Sequence, residues 1–243
     1  MKNIRTDNGQ YYETRHFLIN SSTRISILRR IKTIVTYPLR NTFFKILSLF
    51  MPKTFAPRKY GLAICSIFKD EAPFLKEWIE YHKMLGVEHF YMYNNNSSDA
   101  YKEILLPYIS NGVVTLIDWP ETPGQLTAYR NWYESYRKDC MWATFLDIDE
   151  FICLHYSFDI KSWLGKYGHY PVIKLDWLMF GTSGKLKHDY TLTVLEQYTQ
   201  CWSKRSNIGK VLYNCHYDIA NFGAEVHHRT IVKWHGLKNT SVQ

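Results

Sequence analysis

The stretch FLDIDEFICL, residues 145–154, decides how this chain is read. It sets Asp147, Asp149 and Glu150 into the end of an otherwise apolar run. A carboxylate taken out of water without a partner is costly, so something should neutralise these three. A divalent cation is the first candidate. Read as the end of a strand, positions i and i+2 point to one side, so Asp147 and Asp149 are expected to share a face. Two like charges that close repel unless a cation lies between them. A ligand set made only of oxygen favours Mg²⁺ or Mn²⁺, which keep room for water and substrate phosphates. Such an ion can bridge a diphosphate and neutralise it as it departs. The plainer alternative is a helix cap or surface cluster, because an isolated Asp-x-Asp is common.

The surroundings of this stretch set its context. From Tyr60 onward, apolar runs alternate with segments of helical period. YGLAICSIF reads as a strand, and APFLKEWIEYHKML as a helix with Phe74, Leu75, Trp78, Tyr81 and Leu85 on one side and Gly86 at its end. VEHFYMYNN is a strand, DAYKEILLPYI a helix with Asp99 as its N-cap, GVVTLIDW a strand, QLTAYRNWYESYRK a helix and MWATFLDIDEF a fourth strand. This alternation implies an α/β fold, a mostly parallel sheet covered by helices. Past residue 155 the order is less regular, and PVIKLDWLMFGTSG, TLTVLEQYTQ and IGKVLYNCHY read as strands of a mixed second half. In open α/β sheets ligands bind outside the carboxyl ends of the strands. The polar clusters FKDEA, NNNSSD and DIDE end the first, second and fourth strands, so they are expected to meet in one crevice.

Composition narrows the function classes. The chain has 243 residues, 46% hydrophobic and 21% charged, enough for one sizeable core plus an appendage. The net charge of +8 is uneven: residues 1–58 hold 11 Lys/Arg against 2 Asp/Glu, and residues 59–243 hold 19 against 20. A main body near neutrality argues against nucleic acid as a partner. The boundary at 58/59 separates a basic arm and linker (1–58) from the main domain (59–243). Within residues 24–50, Ile27, Leu28, Ile31, Ile34 and Val35 fall on one helical face and Arg29, Arg30 and Lys32 on the other, and TFFKILSLFM adds a second apolar patch. A basic amphipathic segment of this kind can lie on an anionic membrane surface, and it can equally pack on the main domain. The five cysteines are odd in number and lack CxxC spacing, which reads as free thiols in a reducing compartment. The first twenty residues are polar, so no signal peptide is expected, and no run reaches the ~18 apolar residues of a spanning helix.

Taken together, AICSIFKDEAPFLKEWIEYHKMLGVEHFYMYNNNSSD, GQLTAYRNW, WATFLDIDEFI and WLMFGTSG resemble the glycosyltransferase family 92 / DUF23 group and its bacterial relatives in the family 2 superfamily, from about Tyr60 to His235. The resemblance implies a GT-A fold, with a Rossmann-like nucleotide-binding sheet and a mixed C-terminal half. It implies a nucleotide-sugar donor (a UDP-sugar first), a saccharide or lipid-linked saccharide acceptor, a divalent metal (Mn²⁺ usually, or Mg²⁺) and inversion at the anomeric carbon. By the same resemblance Lys69, Asp70 and Glu71 stand near the nucleotide, with Asp70 where Asn is usual. Asp99 is placed near base or ribose, and Gln125 and Arg130 beside the donor. Asp147 and Asp149 match the metal motif, with His227 as a possible third ligand or a structural histidine. Lys210 is placed to meet phosphate. Phe180, Gly181 and Gly184 match a loop on the acceptor side. An inverting reaction needs one base for the acceptor hydroxyl. Glu196 and Asp176 are the two candidates, and either can equally be a partner of Lys or Arg. The expected setting is surface polysaccharide or lipopolysaccharide assembly at the cytoplasmic face of a bacterial inner membrane. Competing readings are a sugar-binding shell without turnover, and a phosphatase with Asp-x-Asp at a strand end.

Overall fold

The computed structural model describes residues 57–154, 159–203, 209–218 and 241–242, with 3–5, 11–13 and ten positions between 31 and 50. The chain divides into two compact units, one of Met1–Phe50 and Asp176–Gly209, the other of Met51–Leu175 and Lys210–Gln243.

In chain order the elements are β1 (Asn3–Arg5), β2 (Tyr11–Glu13), β3 (Tyr60–Phe68), α1 (Ala72–Leu85), β4 (His89–Asn94), α2 (Tyr101–Ser110), β5 (Val114–Asp118), α3 (Gln125–Ser135), β6 (Cys140–Phe145), α4 (Ile160–Gly165), β7 (Val172–Asp176), α5 (Val194–Gln197), β8 (Gly209–Asn214) and β9 (Ser241–Val242). Strands β3 to β9 form one sheet in the order β5-β4-β3-β6-β8-β7-β9. Strands β5, β4, β3 and β6 are parallel neighbours. Strand β8 then runs antiparallel to β6, in the register Trp142↔Asn214 to Thr144↔Leu212. This is the α/β arrangement expected: a Rossmann-like half followed by a mixed one.

The strands alternate residues between two apolar layers. Leu62, Ile64 and Phe68 of β3 face a core with Trp78, Phe90, Met92 and Trp142, while Ala63 and Cys65 face Tyr91, Tyr93, Tyr129, Trp132 and Phe145. Burial on both faces is what parallel strands require, and it explains why YGLAICSIF reads as an unbroken apolar run. Helix α1 buries Leu75, Trp78, Ile79, His82 and Leu85, and stops at Gly86, whose φ of 104° is readily available only to glycine.

Three expectations need correction. The fourth strand ends at Phe145, so Asp147 and Asp149 are not strand residues. Instead the Glu150 N–H donates to the Asp147 carbonyl at 3.1 Å, closing a turn over 147–150. The paired neighbours run out at this point: β3 follows β6 as far as Cys65↔Phe145 and β8 as far as Thr144↔Leu212. The segment TLTVLEQYTQ holds the short helix α5 in place of a strand. Thr193 Oγ1 accepts the Glu196 N–H and the Glu196 carboxylate accepts the Thr193 N–H, a reciprocal cap. The N-cap of α2 is Ala100 rather than Asp99. Helix α4, capped by Asp159, was not expected.

In the arm, Ile31, Val35, Leu39, Phe43, Ile46, Leu49 and Phe50 are helical and each is more than half exposed. Residues 24–30, with Arg29 and Arg30, and Lys32 lie outside the described residues. All five cysteines are free thiols, and among the described residues no helix is long and apolar enough to cross a membrane.

Burial pushes His82 down to about 4, with its hydrogen bond to Trp78 opposing. The unfolded chain therefore binds this proton first. The stability contributed by neutral His82 is complete above pH ~6.5 and is lost as pH falls toward 4, by at most about 3 kcal/mol. Urea unfolding of wild type and His82→Gln between pH 7 and 4.5 should show the smaller pH-dependent decline in the variant. Parallel declines would contradict this.

Candidate active site

The turn 147–150 is held from several sides at the carboxyl edge of β6. Its own side chain closes it, since the Asp147 N–H donates to Glu150 Oε2 at 2.9 Å. Helix α1 grips the backbone beyond it. Trp78 Nε1 donates to the Glu150 carbonyl at 2.9 Å, Tyr81 Oη to the Ile152 carbonyl at 2.7 Å, and the Ile152 N–H donates to His82 Nε2 at 3.3 Å. The opposite nitrogen of His82 lies 2.8 Å from the Trp78 carbonyl. Neutral His82 with its proton on Nδ1 satisfies both bonds. Trp78, Tyr81 and His82 recur at helical spacing, so one face of α1 both builds the core and fixes the acidic turn.

The side chains of the turn are held as well. Lys210 Nζ, on β8, lies 3.0 Å from Asp147 Oδ2 and 3.2 Å from Glu150 Oε2. Gln125 Nε2, at the start of α3, donates to Asp147 Oδ1 at 3.2 Å. Asp149 is exposed. Glu71, in the loop after β3, is pushed up to about 7, by burial first and then by the charges of Asp149, Asp147 and Asp99. Glu150 is also raised to about 7, by burial, with Lys210 opposing. The site therefore carries more negative charge than Lys210 alone offsets.

The loops after β3 and β4 are stapled to each other. Asp70 Oδ1 accepts the Ser98 N–H at 2.6 Å, and Ser97 Oγ accepts the Asp70 N–H at 3.0 Å. Asp99 Oδ2 accepts the Ala72 N–H at 2.7 Å, so it caps α1 from across the loops. Asn95 Nδ2 donates to the Trp119 and Glu121 carbonyls at 2.7 and 2.8 Å, tying in the third loop.

Of the residues singled out from sequence, the structure brings Glu71, Gln125, Asp147, Asp149 and Lys210 together, with Glu150. Asp70 and Asp99 serve as loop staples beside them. Lys69 is exposed at the end of β3, and Arg130 is exposed on α3, well round the helix from Gln125. Asp176 ends β7. The Asn214 N–H donates to the Pro171 carbonyl, so the start of β7 lies beside the end of β8. Glu196 is engaged in the cap of α5, and its accepted hydrogen bonds from Thr193 lower its pKa. The pattern Thr193-x-x-Glu196 carried that signal in the sequence. Phe180 pairs with Cys201 across a two-residue bridge, and Gly181 and Gly184 border a cavity of about 230 Å³ with Thr182, Gln200 and Trp202. His227 lies outside the described residues.

The donor set at the turn is all oxygen, which suits a hard divalent cation. Among the described residues no three His, Cys, Asp or Glu side chains are grouped so as to hold an ion by themselves. Water and substrate phosphate would complete the shell, as is usual for Mg²⁺-type sites.

Comparison with known proteins gives the family. The model of glycosyltransferase family 92 matches residues 58–234, and the chain belongs to that family. The fold and the family together give the GT-A arrangement. A glycosyltransferase family 92 protein of Oryza sativa subsp. japonica is 31% identical over 134 residues, 54% of this chain and 23% of that protein. One of Arabidopsis thaliana is 38% identical over 94 residues, 38% of this chain and 16% of that protein. The chain thus matches less than a quarter of the length of these plant relatives. Among solved structures it is similar to mannosyltransferase PcManGT from Pyrobaculum calidifontis, in complex with GDP-Man and Mn²⁺ (TM-score 0.37, 12% identity, 59% of this chain and 44% of that one). It is also similar to S. aureus TarS 1–349 (TM-score 0.40, 12% identity, 46% and 34%). At those scores the likeness bears on neither site nor substrate.

Gly124 offers a test of the site's packing. A Cβ there would lie 2.6 Å from the Glu121 carbonyl oxygen and 3.0 Å from Asn95 Nδ2. Gly124→Ala should shift the loop that seats Gln125 and cost about 1–3 kcal/mol. Thermal unfolding measures it, and a wild-type melting temperature would show that the loop gives way freely.

Proposed function

We propose that this chain is a metal-dependent, inverting glycosyltransferase that moves a sugar from a nucleotide-sugar donor, a UDP-sugar first, to a saccharide acceptor. One observation carries the reading: in a chain of glycosyltransferase family 92, Glu71, Asp147, Asp149 and Glu150 converge with Gln125 and Lys210 at the carboxyl edge of a Rossmann-like sheet.

In this reading Asp147 and Asp149 would hold the divalent ion, with water and substrate phosphate completing its shell, and the ion when bound would supply Lewis-acid stabilisation to a departing diphosphate. The chain's own groups do the rest. The stapled loops after β3 and β4 shape the nucleotide side. Gln125 orients the Asp147 carboxylate. An inverting reaction also needs one base for the acceptor hydroxyl, and because Glu196 is occupied by its cap, Asp176 is the proposed candidate. The exposed stripe of Ile31, Val35, Leu39, Phe43 and Ile46, in a segment rich in Lys and Arg, supports docking on an anionic membrane surface, where a lipid-linked acceptor would be presented. A cytoplasmic membrane face is the location consistent with that docking. The plant relatives do not speak to a bacterial polysaccharide role.

Two measurements test this. Asp149 is exposed, so Asp149→Asn should fold normally yet lose Mn²⁺-dependent UDP-sugar turnover by about 10²-fold or more. Retained turnover in that variant would defeat the metal assignment. Leu39→Glu with Phe43→Glu should weaken co-sedimentation with phosphatidylglycerol vesicles, and unchanged binding would remove the arm as the anchor.

A further inference from the structure

Gly181 stands where nothing in the backbone asks for a glycine. Its φ lies outside the left-handed region, whereas that of Gly184, at 78°, lies within it. A Cβ added at Gly181 would meet no atom within 4 Å, so close packing does not demand a glycine either. The missing side chain leaves open space. That space belongs to the cavity of about 230 Å³ bordered also by Thr182, Gln200 and Trp202. Its whole border falls inside the compact unit that contains Asp176–Gly209.

Two short stretches of chain are laid against each other to make this cavity. The Gly181 N–H donates to the Gln200 carbonyl at 2.9 Å and the Trp202 N–H to the Met179 carbonyl at 2.8 Å, on either side of the Phe180–Cys201 bridge. Ser183 Oγ accepts the Thr199 N–H at 2.8 Å and the Gln200 N–H at 3.0 Å. The Lys185 N–H closes the turn on the Thr182 carbonyl at 3.0 Å. In an extended stretch i and i+2 point to one side, so Gln200 and Trp202 share a face.

The groups at the border are uncommitted. The Trp202 residue is 53% exposed. Among the described residues its indole, the Gln200 amide and the Thr182 hydroxyl make no hydrogen bond or ring contact. No charged side chain borders the cavity. This combination selects a ligand class. An uncharged pyranose has apolar C–H faces to cover an indole and hydroxyls at its edge to pair with an amide that both donates and accepts. A phosphate or a carboxylated sugar calls for Lys or Arg, which the border lacks. Acyl chains would strip water from the amide and the hydroxyl and give no partner in return. The volume is below the roughly 300–1,000 Å³ of pockets for drug-sized ligands, so it suits one ring rather than a whole nucleotide sugar.

We propose that Gly181, Thr182, Gln200 and Trp202 form a subsite for one uncharged sugar ring of the acceptor, stacked on Trp202 and hydrogen-bonded to Gln200 and Thr182. This deepens the glycosyltransferase reading and rests on it for the ring's being part of the acceptor. The family resemblance bears only on the turn with Phe180, Gly181 and Gly184; the roles of Gln200 and Trp202 and the neutrality of the ligand follow from the geometry. The subsite binds its sugar without Mn²⁺ and without nucleotide, because no border group is charged.

The test uses the full chain, free of nucleotide and with EDTA present. The probes are the methyl glycosides of glucose, galactose, mannose and N-acetylglucosamine, with galacturonic acid as the charged control, followed by saturation-transfer NMR. At least one neutral glycoside should bind wild type. Its Kd should rise about tenfold in Trp202→Ala, the loss typical of truncating a tryptophan anchor. It should rise about fivefold in Gln200→Leu, which keeps the size and removes the amide. Trp202→Phe, which keeps an aromatic face, should bind more tightly than Trp202→Ala. Gly181→Val should melt as wild type does and lose the signal, because its side chain occupies the space. Failure of wild type to bind any of the four neutral glycosides, or equal binding by folded Trp202→Ala, would overturn the proposal. So would a preference for galacturonic acid. Weakened binding of phosphatidylglycerol vesicles by Trp202→Ala, with sugar binding unchanged, would assign the indole to lipid and overturn it too. If Trp202→Ala does not fold, wild type and Gln200→Leu still decide. Mn²⁺-dependent hydrolysis of a UDP-sugar by wild type tests the glycosyltransferase reading separately: with that activity present and no glycoside bound, only the subsite fails.

Discussion

The site depends on the ion pair between Lys210 and the acidic turn. It joins β8 to the end of β6 across 63 residues of sequence and brings a positive charge to the point where the sheet's hydrogen bonding stops. Removing one partner of a fully buried pair typically costs about 3–5 kcal/mol, and the value here should be smaller because Asp147 is partly in water. The helix α1 contacts reinforce the same loop. Trp78, Tyr81 and His82 bind backbone groups rather than side chains, so they fix where the acids stand without neutralising them. Geometry comes from α1 and charge balance from β8, and these are separable contributions.

That separation explains the electrostatics. Asp147 and Glu150 share the Lys210 ammonium, and Glu71 feels the charges of Asp149 and Asp147. Burial and mutual repulsion raise Glu71 and Glu150 to about 7, although Lys210 pulls Glu150 the other way. A cluster in this condition gains from any added positive charge, and a pair of its members need not be fully ionised before it arrives. Preorganised charge of this kind acts at the moment of reaction without reorganisation, which is how such sites usually contribute most.

Much of the fold was legible because its signals are local. The burial of YGLAICSIF on both faces makes it uniformly apolar, and the period of APFLKEWIEYHKML with Gly86 behind it fixes α1 to the residue. The acidic turn was misread as strand because its hydrophobic neighbours, Leu146 and Ile148, alternate as a strand would; what ends β6 is the loss of paired partners on both sides, which no local window contains. Glu196 drew attention as a catalytic candidate although Thr193-x-x-Glu196 spells a helix cap. The parts that could not be read are the long-range ones. Nothing around Lys210 in GKVLY says that its ammonium meets Asp147, and nothing around Glu71 says that Asp149 stands beside it.

The account's central claim is that this edge of the sheet takes a cation and a diphosphate together. Crystals grown with Mn²⁺ and UDP, measured for anomalous scattering at the manganese edge, test it most directly. The account predicts a single strong peak within bonding distance of Asp149, with the diphosphate of UDP beside it. A manganese peak elsewhere, with UDP bound away from the turn, would contradict it.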